Sequence, residues 1–448
     1  MPYEGEFAAY RSLNRIAQTD RVRKLLTKAR VLSPDAQITV PQPALAPAPS
    51  GERPAFVVAI DGSYAEVPVK NGYPGAHVGY VTVASVLLNL FELDRLDEQR
   101  PIDPAEFRKT EQAATVDEAL PGSNVVTREH RNARNAFREA AFEVFHDAVI
   151  DEDDPTTLLD TFDHLLGYKP TSNPQKCPQA GCDQEFAISP ETNTCGCERQ
   201  CRIYSTDALR IHERFNSVGS NGEAFGLVMQ VWERMLLVHL LRCFERQDWL
   251  EGLGKLVFFV DGPLAVFGPP AWLSAAISQE LKRLNARFRK RVGTDLLIVG
   301  VEKTGAFVSH FDELDQSETA GAVRFAPRSY LLLTDRYIKQ RIALSDSDRR
   351  YGRDTYFGRK FFYKSASGAR VVASIAFLTE EQDTLDSEDI SLYPQFANVC
   401  STLDRLVSSR FPNALSPIVS AHAHAAIPLH LGAKVLQQLA RALMDRSR

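Results

Sequence analysis

Two segments of this chain share one phrase: Phe56-Val57-Val58-Ala59-Ile60-Asp61-Gly62-Ser63 and Leu256-Val257-Phe258-Phe259-Val260-Asp261-Gly262-Pro263. Each is an unbroken apolar run closed by Asp-Gly. A strand covered on both faces has this composition, because neither face presents side chains to water. The carboxyl ends of such strands are where open α/β sheets bind ligands. Two carboxylates delivered to neighbouring strand ends make a hard-cation site suited to phosphoryl transfer. Asp-Gly is also a common turn dipeptide. Its recurrence behind two matched strands is what narrows the choice of fold.

The rest of the chain is organised around these phrases. Residues 7–32 read as a basic amphipathic helix, followed by a Pro/Ala linker at 40–54 that is expected to be semi-rigid and not to pack. Gly72-Tyr73-Pro74-Gly75 turns the chain into a second strand, His77–Leu90. Residues 94–122 are acidic and read as irregular, and Ser123–Ile150 as a helix. A cysteine segment fills 170–202, a helix starts near Thr206, and another spans 224–244. After the second phrase come a helix at 271–291, a strand Asp295–Val301 ending in Glu302-Lys303, two strand pairs and a C-terminal helix at 428–446. This order predicts an α/β fold, a mixed β-sheet flanked by helices.

Composition sets limits on the partners. With 52 basic and 57 acidic residues the net charge is −5, so any nucleic-acid surface must be local. Arg283, Arg287, Arg289, Lys290 and Arg291 form one basic cluster; Arg349, Arg350, Arg353, Arg359, Lys360 and Lys364 form another. No secretory leader is visible, and the longest apolar stretch, Val228–Leu241, is interrupted by Glu233, Arg234 and His239. The expectation is a cytoplasmic protein without a membrane span.

Three constellations carry chemistry. Helix 224–244 is apolar nearly all round, so it is a buried helix. Glu233 projects from it among Met229, Leu236, Leu237 and Leu240, and a buried Glu needs a partner or a cation. Ala421-His422-Ala423-His424 offers two imidazoles, which would point one way on a strand and apart on a helix. Five cysteines lie between Cys177 and Cys201; in a reducing compartment such crowding points to tetrahedral Zn²⁺. The preferred ligands are Cys177, Cys182, Cys197 and Cys201, with Cys195 as the alternative. An all-thiolate set is structural, because it leaves no open position. No G-x-x-x-x-G-K-[ST] loop is present, so the chain is not a P-loop ATPase.

Taken in order, Asp61-Gly62-Ser63, Val231-Trp232-Glu233, Val260-Asp261-Gly262-Pro263-Leu264, Val301-Glu302-Lys303 and Ser420-Ala421-His422 resemble the landmarks of NurA nucleases. Arg328-Ser329-Tyr330-Leu331, Thr334-Asp335-Arg336 and Tyr356-Phe357-Gly358 add to the likeness, which covers about 55–430. It implies an RNase H-like core, Mn²⁺- or Mg²⁺-dependent DNA cleavage, a homodimer, and work beside a HerA-type hexameric ATPase in double-strand-break end resection. On this resemblance Asp61, Glu233 and Asp261 are metal carboxylates, His422 completes the site, and Lys303 contacts phosphate. Glu245 and His424 are the nearby alternatives. Phe411-Pro412 stands where the family often has Tyr-Pro. The Cys-rich zinc insertion is outside the minimal family pattern. The domain reading is then an N-terminal helical segment 1–39, the linker 40–54, a NurA-like nuclease domain 55–430 with insertions at 94–150 and 170–202, and a C-terminal helix 431–448.

Two other readings compete. An actin-like ATPase also ends two strands in Asp-Gly, but should carry further Gly-rich phosphate loops. A non-catalytic zinc-bearing adaptor for DNA or a motor ATPase would have no use for a buried Glu233. Endo- or exonuclease action, polarity, strand preference, and repair versus phage defence are not readable from these residues.

Overall fold

The computed structural model describes residues 10–29, 40–49, 53–70, 75–94, 111–151, 154–172, 174–179, 181–316, 325–383, 385–407, 415–426 and 431–446. Its centre is a nine-stranded mixed sheet. The strands are β1 (Ala44–Leu45), β2 (Phe56–Lys70), β3 (Ala76–Asn89), β4 (Glu111–Pro121), β9 (Leu256–Asp261), β10 (Ile298–Glu302), β11 (Ser329–Leu332), β12 (Gly358–Lys364) and β13 (Arg370–Ala376). Small hairpins supply β5 (Val149–Asp151) with β6 (Asp154–Thr157), and β7 (Gln175–Lys176) with β8 (Glu185–Phe186). The sheet order is β1-β11-β12-β13-β10-β9-β2-β3-β4. β2, β9 and β10 run parallel, and the other neighbours are antiparallel.

The apolar runs sit where they are covered twice. Val57, Ala59, Val257 and Phe259 face one core, roofed by helices Phe396–Leu406 and Ser416–Ala425. Val58, Ile60, Phe258 and Val260 face the other, against helices Gly222–Arg246 and Trp272–Val292. Helix Gly222–Arg246 is long and apolar enough to cross a membrane, contrary to the sequence reading, but 72% of its most apolar window is buried inside the protein.

Several elements differ from expectation. The first Asp-Gly does not end its strand: β2 passes through Asp61 and continues to Lys70, held by β3. The Pro/Ala segment does pack, since Ala44 and Leu45 pair with β11 and Val40 is buried. Residues 111–121 are not irregular but an edge strand, whose exposed charges hide its pairing from a pattern search. The helix expected at Ser123–Ile150 is Ala133–Asp147, started by the Asn132 side chain accepting from the Arg134 and Asn135 N–H groups. Thr206 lies in 3₁₀ turns, Ser205–Leu209 and Ile211–Arg214, broken at Arg210 with φ 57°. The N-terminal stretch forms two short helices, Tyr10–Gln18 and Asp20–Lys28. The turn Gly72–Pro74 and residues 95–110 lie outside the described residues.

Both basic clusters are largely neutralised. Arg283 and Arg287 bond Glu245, Arg289 pairs with Asp295, and Arg291 with Glu251. Lys360 is buried against Glu302, and Lys364 pairs with Asp315. Glu245 is among these partners, held by Arg283 and Arg287.

Candidate active site

The register of β2 against β9 pairs Phe56 with Leu256 and continues to Ile60 with Val260. The next residue on each strand is Asp61 and Asp261, so the two carboxylates stand side by side on one face. β10 pairs its Val301 with Asp261. Two residues further on, Lys303 returns to the same face and bridges both acids. Its Nζ is 2.8 Å from Asp261 Oδ1 and 3.3 Å from Asp61 Oδ2.

Helix Ser416–Ala425 brings His422 from above, with Nδ1 3.3 Å from Asp61 Oδ2. Because the His-x-His segment is helical, its rings diverge, and His422 is the one on Asp61. Glu233 approaches from the opposite side of the sheet. It can do so only because Gly62 has no side chain: a Cβ there would lie 2.7 Å from Glu233 Oε1 and 2.7 Å from Met229 Cγ. The Gly62 N–H also bonds the Glu233 carboxylate.

The electrostatics follow from burial and crowding. Burial pushes the Asp61 carboxyl up to about 6, the Asp261 charge adds to this, and Lys303 and His422 oppose it. Glu233 is pushed up to about 8, first by burial and then, against the pull of Arg234, by Asp61 and Asp261. Lys303 is held above the ordinary lysine range: burial opposes its charge, but the two aspartates outweigh burial. Three carboxylates thus compete for positive charge in one small volume.

Arg234 joins this cluster, although the sequence reading did not place it there. Its Nη1 donates to Glu233 Oε2 at 2.8 Å, its Nη2 to the carbonyls of Asp261 (3.0 Å) and Pro263 (3.1 Å), and its Nε to that of Ala265 (3.3 Å). One guanidinium therefore ties the helix carboxylate to the turn after β9. The signal was available: two adjacent charges in an otherwise apolar buried helix imply a local pair.

A divalent cation fits this donor set. Oxygen ligands with like charges crowded together are what hard cations require, and the Lys303 ammonium already occupies the space between Asp61 and Asp261 as a cation would.

A second cluster lies in the cysteine segment, where no disulfide forms. The sulfurs of Cys177, Cys182 and Cys195 all lie within 4.8 Å of one another, and Cys182 to Cys195 is 3.8 Å. Thiolates bound to tetrahedral zinc at ~2.3 Å stand about 3.8 Å apart. Cys197 and Cys201 form a neighbouring pair at 3.5 Å. Cys195 is thus a member of the central trio rather than the spare. Spacing along the chain could not tell which thiols meet. Burial pushes the Cys177 thiol up to about 12. Cys177 and Cys195 back onto the main core, and Asn135 Nδ2 donates to Gln179 Oε1 at 3.0 Å.

Fold and site together define a mixed-sheet α/β protein with an acidic, cation-seeking centre at its parallel strands. Residues 57–427 match the profile of the NurA domain, and the chain belongs to that family. A crystal structure of the NurA nuclease from Sulfolobus solfataricus aligns over 98% of this chain and 93% of its own, with 11% identity and a TM-score of 0.33. No curated protein matches the chain.

Proposed function

We propose that this protein is a metal-dependent deoxyribonuclease that hydrolyses DNA phosphodiester bonds at the Asp61–Glu233–Asp261 centre. The observation that carries the reading is the pairing of Asp61 and Asp261 on adjacent parallel strands, with Glu233 and His422 converging on them. Membership of the NurA family supports it. The order β10-β9-β2-β3-β4, an antiparallel meander beside two parallel strands, supports reading this part of the sheet as an RNase H-like core.

Asp61, Asp261, Glu233 and His422 would hold Mn²⁺ or Mg²⁺, in the two-ion form of such sites. Metal held by these residues would supply charge neutralisation at the scissile phosphate and a lowered pKa for a nearby water, so that hydroxide is available as the nucleophile. Lys303 stays protonated and would donate a charged hydrogen bond to a non-bridging phosphate oxygen once it leaves the aspartates. Arg234 holds the Glu233 carboxylate in place through its bonds to the β9 turn. The trio Cys177, Cys182 and Cys195 holds structural Zn²⁺, with the fourth thiolate from Cys197 or Cys201. Within the same proposal the protein is a cytoplasmic homodimer serving a HerA-type hexameric ATPase, in DNA end processing or phage defence.

The test incubates purified protein with end-labelled linear and circular DNA and Mn²⁺, with and without the ATPase. Cleavage abolished by chelator and by Asp61→Ala is expected. An Asp61→Ala variant as fast as wild type would sink the assignment, and no cleavage in any arm would favour the adaptor. Metal analysis should find zinc that is lost in Cys195→Ser; zinc retained there but lost in both Cys197→Ser and Cys201→Ser would restore the set expected from spacing.

A further inference from the structure

β2 carries an arm that the parallel strands do not follow. Its last pairing with β9 is at Ile60, yet it runs on to Lys70 beside β3. Helix Gly222–Arg246 lies along this arm in the opposite sense. At the helix start, Glu66 accepts from the Asn221 N–H at 2.8 Å and from the Ser220 hydroxyl. Near its middle, Gly62 lies under Met229 and Glu233. Between these two ties sits Tyr64.

The Tyr64 ring rests on bare helix backbone. A Cβ on Gly226 would stand 3.2 Å from a Tyr64 ring carbon, and one on Gly222 3.7 Å away. Glycine is the poorest helix former short of proline, so two of them in the first turns of a helix need a reason. Tyr64 nevertheless keeps 42% of its surface open to solvent.

A second aromatic is fixed one turn further along. Gly226, Gln230 and Glu233 share a helix face, being at i, i+4 and i+7. Gln230 Oε1 accepts from the Phe267 N–H at 2.7 Å, and Gly268 lies close against Leu227. Phe267 is 36% exposed and meets the Tyr356 ring edge-on at 5.6 Å between centroids. Both exposed aromatics are thus anchored on the helix turns leading up to Glu233, three residues past Asp61 and six past Asp261 in the chain. Isolated exposed aromatics are ordinary. Two that are anchored on successive turns of the helix that carries Glu233 are not isolated.

We infer that Tyr64 and Phe267 are base-stacking positions, which take nucleobases next to the phosphodiester being cut. The site then grips a strand by the faces of its bases as well as by its backbone, and needs nucleotides free to leave a stacked duplex. Stacking on aromatics tolerates any sequence, because every base has a π-face. This inference rests on the nuclease reading above.

The test uses the full chain and a single-stranded oligonucleotide, intact or with abasic positions around the preferred cut. Tyr64→Ala and Phe267→Ala should each raise KM roughly 5- to 150-fold on the intact strand with kcat little changed. Tyr64→Trp and Phe267→Tyr should recover most of the loss. On the abasic strand wild type should weaken similarly, and the alanine variants should lose nothing more. Unchanged KM on the intact strand, or equal losses on both strands, overturns the inference. Fluorescence anisotropy of the same strands keeps this separate from catalysis. If wild type cuts nothing but binding shows the stacking pattern, the nuclease reading alone fails; if cutting persists and binding ignores the bases, the stacking inference alone fails.

Discussion

Asp61-Gly62 and Asp261-Gly262 are the same dipeptide at the same height on neighbouring parallel strands, yet their backbones do opposite things. At the first, the strand continues and Asp61 is buried. At the second, the strand stops, Gly262 takes φ 75°, and its N–H bonds the Val301 carbonyl at 2.8 Å. Gly62 is needed for space, because Glu233 fills the place of its side chain. Gly262 is needed for its backbone angle, which other residues adopt only at a cost. The acids meet because of strand register, and identical residues beside them serve unrelated needs.

Four experiments probe that contrast. The largest effect should come from cutting the tie between the two phrases. Arg234→Met strips the hydrogen bonds from Glu233 and from the carbonyls of Asp261, Pro263 and Ala265 and should cost about 3 kcal/mol in urea unfolding; a loss below about 1 kcal/mol would show that the guanidinium does not join the two sides. Next, Asp61→Asn and Asp261→Asn should each slow cleavage at least about 100-fold, no less than outer-shell changes cost at metal sites. One aspartate proving dispensable would break the equivalence that register implies.

The glycines should then separate. Gly62→Ala forces Glu233 and Met229 aside, so cleavage should fall roughly 100-fold alongside about 1–3 kcal/mol of stability. Gly262→Ala should cost about 1–2 kcal/mol in stability and much less in rate. Equal kinetic damage from both would refute the division of roles.

The smallest signal is in pH. Asp61 at about 6 and Glu233 at about 8 both lie above their ordinary values in the folded protein. Their contribution is therefore full in acid and lost as pH rises through those values. Metal-free wild type should lose melting temperature relative to Glu233→Gln between pH 4.5 and 8, and added Mn²⁺ should reduce the difference. The comparison with the variant matters because buried His212 and His239, both lowered to about 4 by desolvation, act in the opposite direction below pH 6.5.

Much of this was legible in the chain. The runs 56–60 and 256–260 announced doubly covered strands, and the apolar surroundings of Glu233 announced a buried acid. The continuation of β2 was hidden because Tyr64, Glu66 and Pro68 look like the polar punctuation after a strand, although β3 still pairs with them. β4 was hidden for a related reason, since an edge strand with exposed charges has no apolar alternation to read. Arg234 was visible but read as an interruption of the helix rather than as the partner of its neighbour. His422 could be ranked above His424 from geometry only when the segment proved helical.

The acids, the lysine and the histidine are drawn from positions 61, 233, 261, 303 and 422. No shorter stretch of chain contains them all, and their meeting depends on long-range strand pairing, the slow part of folding. A polypeptide still emerging from the ribosome therefore carries the first aspartate long before it can assemble a working centre. For a protein proposed to cut DNA, cutting ability would then arrive only once all five positions have been made and brought together by the sheet.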